Sequence, residues 1–380
     1  MKIRLFTPGP TPVPEKVMTR MADPILHHRT KEFSNIFTEV SEILKELFQT
    51  KEDVIILTSS GTGAMEAAVA NHLNPGDEVL TIEGGKFGER WGELCEAYGV
   101  KAVRKAVPWG RAFTPDEMRE TLEKKSDYKA VFLTHSETST GAAIDLRKIS
   151  EVIHAKSDAL IIVDGITSIG AMPLKMDAWG LDVVITGSQK GLMIPPGLAF
   201  IALSRRALKA MEVCRQPRYY FDLRKAVKSL QSRTTPFTPA VTLITGLLEA
   251  LRMIQTEGLE NVWKRHAILA DSTRKAVRAL GLELLADSPS NALTAVKIPE
   301  LLLSAGIDGR MKAKGVIVAG GQSKLKGKIF RISHLGYYDI QDMFAAIGTL
   351  EEVLQEENWN FEPGTGVKIL QTNYLRLIRK

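Results

Sequence analysis

Short apolar runs alternate with amphipathic stretches from about residue 30 to residue 250, and this alternation limits the chain to few folds. The runs fall at 54–57, 78–82, 130–134, 159–163, 183–186 and 199–203, and most are rich in β-branched residues. Runs of four to seven such residues separated by helical patterns predict βα units and a mostly parallel sheet between helices, since strands buried on both faces need no polar alternation. Apolar residues then recur at three-to-four spacing over 241–257 and 261–280, predicting two long helices. Further strands are expected at 293–296, 316–318 and 329–332. At 380 residues the chain exceeds what one small core organises. The expected layout is a large α/β domain over 21–257 and a smaller C-terminal α/β domain over 258–380.

Composition narrows the function classes. Hydrophobic residues make up 44% and charged residues 25%, as in ordinary soluble globular proteins. The formal net charge of +6 is spread along the chain apart from Arg376, Arg379 and Lys380. No basic stripe with interleaved aromatics appears, which argues against nucleic acid as a partner. Weak attraction of anionic metabolites is the better reading. Cys95 and Cys214 are far apart and outside metal-ligand spacing, so neither a metal site nor a disulfide framework is expected, which fits a reducing cytoplasm. Residues 1–10 lack the apolar core of a signal peptide, and no run is long enough to span a membrane.

Gly187-Ser188-Gln189-Lys190 follows the run 181–186, and Asp164 closes the run 159–163. A lysine amine condenses with an aldehyde, and a carboxylate holds a pyridinium proton. Pyridoxal 5′-phosphate (PLP) requires these two groups. Lys190 could instead be a solvated surface charge and Asp164 a loop or capping residue. What favours chemistry is that opposite charges end two buried-type strands, at the carboxyl edge where open α/β sheets take ligands. Thr58-Ser59-Ser60-Gly61-Thr62-Gly63 lies between a strand and a helix and suits a phosphate, though it would serve equally as an N-cap. Phe87, in a Gly-flanked segment, is a ring-stacking aromatic or a core residue. Arg331 sits inside a strand and needs a partner, either a substrate carboxylate or a salt bridge within the small domain.

The chain resembles the class V aminotransferases of PLP fold type I, specifically the serine/alanine–glyoxylate group. The resemblance rests on Thr7-Pro8-Gly9-Pro10, Ser60 to Glu66, Lys86-Phe87-Gly88-Glu89-Arg90, Thr134 to Gly141, Val163-Asp164, Gly187 to Lys190, Thr238-Pro239, Gly258 to Asn261 and Phe330-Arg331-Ile332. It implies a seven-stranded type of sheet in the large domain and an N-terminal segment, 1–20, that contributes to the active site. It implies that Lys190 forms the Schiff base and moves the proton, and that Asp164 pairs with the ring nitrogen. Ser60, Gly61, Thr62 and Gln189 would cradle the phosphate, with Thr235 and Thr238 supplied by the partner subunit of a homodimer. Phe87 would stack on the ring and Thr138 would lie near its hydroxyl or the substrate. Arg331 would bind the substrate α-carboxylate close to the backbone of Gly9. Thr235 stands where some relatives carry a phosphate-contacting tyrosine. His28 and Arg29 resemble a segment that reaches the neighbouring active site in some members, or form a surface turn. The implied reaction moves an amino group from alanine or serine to glyoxylate or pyruvate. Another donor such as aspartate, a class V lyase reaction (cysteine desulfuration or kynurenine hydrolysis), and a non-enzymatic binding role are the rivals.

Overall fold

The computed structural model describes residues 2–379; Met1 and Lys380, the last of the C-terminal basic cluster, lie outside the described residues. The strands in chain order are β1 (Arg4–Phe6), β2 (Val54–Ser59), β3 (Glu78–Glu83), β4 (Lys101–Ala106), β5 (Ala130–Thr134), β6 (Ser136–Glu137), β7 (Ala142–Ala143), β8 (Leu160–Asp164), β9 (Val183–Gly187), β10 (Gly197–Leu203), β11 (Leu293–Lys297), β12 (Val316–Gly320) and β13 (Ile329–Ser333). Seven form one sheet in the order β2-β10-β9-β8-β5-β3-β4. Only β10 runs against its neighbours. The α/β class and the mostly parallel sheet expected from the alternation are therefore present.

Side chains of successive residues leave opposite faces of each strand, and both faces are dry. Ile161, Val163 and Val184 join the helices Lys31–Phe48 and Val241–Glu257 in one core. Leu160, Ile162 and Ile185 join the helix Gly61–His72, with Trp91 of the helix Lys86–Ala97, in another. Continuous apolar runs rather than alternating ones are what a doubly covered sheet requires. β4 is the exception: it is an edge strand, mostly exposed and carrying Lys101, Arg104 and Lys105. Charge on an edge discourages pairing with another chain.

The second sheet has the order β1-β12-β13-β11 and packs against the helices Leu259–Ala279 and Ile340–Glu356. Its edge strand β1 comes from the N-terminus and pairs parallel with β12, Leu5 opposite Ile317. The helices Val241–Glu257 and Leu259–Ala279 meet at Gly258, where φ is +83°. A residue with a Cβ is strained there, so one long periodic stretch turns into two helices.

Parallel register carries the functional strands to one edge. Thr134 lies opposite Asp164, and Asp164 opposite Ile185, so β5, β8 and β9 end together. The turn after β9 carries Lys190 just beyond that edge.

Candidate active site

Lys190 is 8% exposed, and its Nζ donates to the carbonyl of Pro8 at 2.6 Å. The N-terminal segment is stitched to the lysine turn at two further points. Thr11 N donates to the Gln189 carbonyl at 3.2 Å, and Thr11 Oγ1 to the Lys190 carbonyl at 3.0 Å. A Cβ at Gly9 would overlap Lys190 Nζ, and φ there is +150°, so this position accepts glycine for both shape and conformation. Burial pushes the Lys190 amine down to about 8, with Arg331 and Arg90 adding to the effect and Asp164 opposing it.

Asp164 is 4% exposed, and its Oδ1 accepts from Ile166 N at 2.8 Å. Burial pushes its carboxyl up to about 7 against the opposing pull of Ile166 N–H, Lys190 and Arg90, and the charge of Glu137 raises it further. Its second oxygen has no hydrogen-bond donor among the described residues. A pyridinium N–H would supply one, together with the positive charge that burial makes scarce.

Arg331, on β13, is also 4% exposed. Its guanidinium donates only to carbonyls: from Nε and Nη2 to Gly320 at 3.2 and 2.7 Å, and from Nη1 to Thr138 at 2.8 Å. The salt bridge open on the sequence alone does not form among the described residues. Burial lowers this guanidinium to about 10, opposed by the charge of Glu137. A buried cation satisfied by dipoles alone retains the capacity to pair with a carboxylate.

A phosphate fits the start of the helix Gly61–His72. Its N-cap, Ser60, makes no side-chain capping bond, and the first intrahelical donor is Gly63 N. Gly61 N and Thr62 N have no acceptor among the described residues, the usual anion site of a helix start. Gln189 Oε1 is buried without a partner among the described residues, and a half-turn of the side-chain amide would put its N–H donors in that place for a phosphate to accept. A Cβ placed on Gly187 would meet both Gln189 Oε1, at 3.2 Å, and Gly61 N, at 3.5 Å, so those two groups face one small space. The residues present thus fit PLP: amine, carboxylate, phosphate cradle and stacking ring.

Phe87 belongs to the first turn of the helix Lys86–Ala97 rather than to a loop. It is half-buried, which rules out the core-aromatic reading. The guanidinium of Arg90 lies 4.9 Å from its ring centroid, and Arg90 Nη1 donates to Thr62 Oγ1 at 3.1 Å. Thr138 Oγ1 is 2.6 Å from Thr167 Oγ1. Sequence reading gave no role to Arg90, Thr167, Thr11 or Glu137; each is placed by contacts between distant segments. His135, buried with an unpartnered Nδ1 and held down to about 4 by burial, was likewise unassigned.

Four expected residues stand apart. Arg29 is exposed and donates to Thr234 Oγ1 at 2.7 Å and to the Thr235 carbonyl at 3.4 Å. His28 is half-buried beside it, Thr235 Oγ1 donates to the Phe237 carbonyl at 2.7 Å, and Thr238 is exposed. None of them is hydrogen-bonded to Lys190, Asp164 or Arg331 within the chain. Tyr219 and Tyr220, both exposed, lie against Phe237 in the same patch.

A buried lysine, a buried aspartate, a helix-start anion cradle and a half-buried aromatic at the carboxyl edge of this sheet define a PLP-dependent enzyme. The model of the class V aminotransferases matches residues 3–339, and the chain belongs to that family. It is a PLP-dependent aminotransferase. The chain is 48% identical to the small subunit of a soluble hydrogenase from Synechococcus sp., over 96% of this chain and 97% of that one. It is 37% identical to L-aspartate–glyoxylate aminotransferase of Paracoccus denitrificans, over 97% and 96%. The solved ureidoglycine–glyoxylate aminotransferase of Bacillus subtilis superposes with a TM-score of 0.93 at 31% identity, covering 99% of each chain. Among the described residues no three His, Cys, Asp or Glu side chains gather as metal ligands, and no helix is long and apolar enough to cross a membrane.

Proposed function

We propose that the chain moves an amino group from alanine or serine to glyoxylate or pyruvate. The observation that carries this is a buried, carbonyl-bonded Lys190 together with a buried Arg331 that has no carboxylate partner among the described residues and whose charge lowers the basicity of the lysine. When bound, PLP supplies the aldehyde that captures the amine and the ring that stores the electrons released at Cα. Lys190 Nζ takes the Cα proton of the donor and returns it, and its lowered basicity keeps a neutral fraction available at physiological pH. Asp164 holds the ring-nitrogen proton. Ser60, Gly61, Thr62 and Gln189 hold the phosphate, and Phe87 and Thr138 fix the ring. Arg331 grips the α-carboxylate, orienting the Cα–H bond for Lys190.

One buried guanidinium with no carboxylate partner among the described residues favours small monocarboxylic donors. Aspartate is the second reading, supported by the name of the Paracoccus relative. Desulfuration fits poorly. Cys214 is buried and its thiol is engaged with the carbonyls of Ala70 and Leu73, away from the cleft. A homodimer with shared sites is supported by the patch that holds His28, Arg29, Thr235 and Thr238 beside exposed Ile25, Tyr219 and Tyr220. A cytoplasmic setting agrees with the two unpaired cysteines. Alanine, serine and aspartate should be tested as donors against glyoxylate, pyruvate and 2-oxoglutarate. Fastest turnover with aspartate would overturn the donor assignment in favour of the second reading, and fastest turnover with 2-oxoglutarate would overturn the acceptor assignment.

A further inference from the structure

We propose that Glu137 is a positioning residue that fixes the ring-stacking Phe87 and the carboxylate-binding Arg331 at a set separation; this rests on the roles given above to those two residues. Glu137 ends β6 and is 5% exposed. Its carboxylate accepts from Gly88 N at 2.9 Å, Phe87 N at 3.2 Å, Ser139 N at 3.0 Å and Ser139 Oγ at 2.6 Å. Ser139 Oγ in turn accepts from Lys86 N at 3.0 Å. Together the two side chains satisfy the first three N–H groups of the helix Lys86–Ala97, whose own N-cap, Gly85, has no side chain to do so. A Cβ at Gly85 would collide with Glu137 and Ser139, so the contact is closed down to the backbone.

Thr138, between the two capping residues, points the other way. Its carbonyl holds Arg331 Nη1 and its hydroxyl meets Thr167. Three consecutive residues therefore grip the aromatic wall on one side and the substrate arginine on the other. A carboxylate is needed because it alone offers four lone-pair sites to converging donors and favours the positive end of the helix. An amide at this position would turn two N–H donors toward backbone donors.

The small domain contains a matched control. Glu351 is also buried and caps the helix Thr365–Ile378 by accepting from Gly364, Gly366 and Val367 N at 2.8, 2.6 and 3.1 Å. It does the same local work with no contact to the cleft. Holoenzyme of wild type, Glu137→Gln, Ser139→Ala and Glu351→Gln should be compared by thermal unfolding, by the visible circular dichroism of bound PLP and by steady-state kinetics. Glu137→Gln should lower kcat/KM by about 100-fold, as expected for a displaced reacting geometry, with an altered dichroic band per bound cofactor. Ser139→Ala should move both readouts the same way by less. Glu351→Gln should lower the melting temperature and leave both readouts at wild type. If Glu137→Gln matches Glu351→Gln, losing stability alone, Glu137 is only a cap and the inference fails. If Glu137→Gln does not fold, Ser139→Ala decides, and wild-type dichroism and kinetics in that variant overturn it. A wild type without a PLP band would instead sink the functional reading itself.

Discussion

The two sheets contribute to the candidate site on opposite plans. The large-sheet side presents Lys190 and Asp164, whose charges burial disfavours: the amine is lowered to about 8 and the carboxyl raised to about 7. The small-sheet side presents Arg331, which burial cannot discharge in the physiological range and which carbonyl dipoles hold in place. One side thus holds groups whose charge burial makes adjustable near neutral pH, and the other a group that stays charged there. Proton transfer requires a group near its own midpoint, whereas recognition of a carboxylate requires one far from it.

The largest expected effect lies on the adjustable side. Lys190→Ala should abolish turnover and leave bound PLP with no borohydride-reducible imine. Peptide mapping of reduced wild type checks this, and a label on any other lysine breaks the assignment. Asp164→Asn should retain PLP weakly and lose most activity, because an amide does not hold the ring nitrogen protonated; near wild-type turnover would refute the role.

Arg331→Lys tests the opposite side. It keeps the charge and loses the two-pronged geometry, so PLP absorbance should be normal while kcat/KM falls for every α-amino acid donor by about 2–4 kcal/mol. A variant that loses stability and keeps donor efficiency would make the arginine structural and erase the contrast between the two sides.

Removing the cofactor gives the smallest and most direct test. Asp164 has a raised native pKa, so between about 4 and 7 the native apoprotein binds a proton that the unfolded chain has released. The stability of the wild-type apoprotein relative to apo Asp164→Asn should therefore fall as pH rises through that window and level off above it; the buried histidines, whose lowered basicity acts in the opposite direction in both proteins, cancel from this difference. Urea unfolding of both proteins from pH 5 to pH 8 measures it, and parallel curves would show that Asp164 carries no burial penalty.

Most of the large sheet was legible because its strands are apolar on both faces, as at 159–163 and 183–186. β1 and β4 were not. Arg4-Leu5-Phe6 is too short to show a period, and half of the residues from Lys101 to Ala106 are charged because the strand borders solvent. Both are edge strands, held by a partner on one side, so tertiary pairing rather than local pattern makes them strands. Lys190, Asp164 and Arg331 were readable for a related reason: each charge interrupts or ends an apolar run, which singles it out. Glu137 and Thr11 act through backbone groups far away in sequence, and spacing holds no trace of such partners.

The strand Arg4–Phe6 belongs to the small sheet, yet a few residues later the same segment holds the lysine through Pro8 and Thr11. The N-terminus is therefore a tie-rod between the two halves of the molecule. Pairing of residues 4–6 with one sheet thereby sets the position of a backbone acceptor at the edge of the other, so the lysine amine is anchored by a segment whose own register is fixed elsewhere.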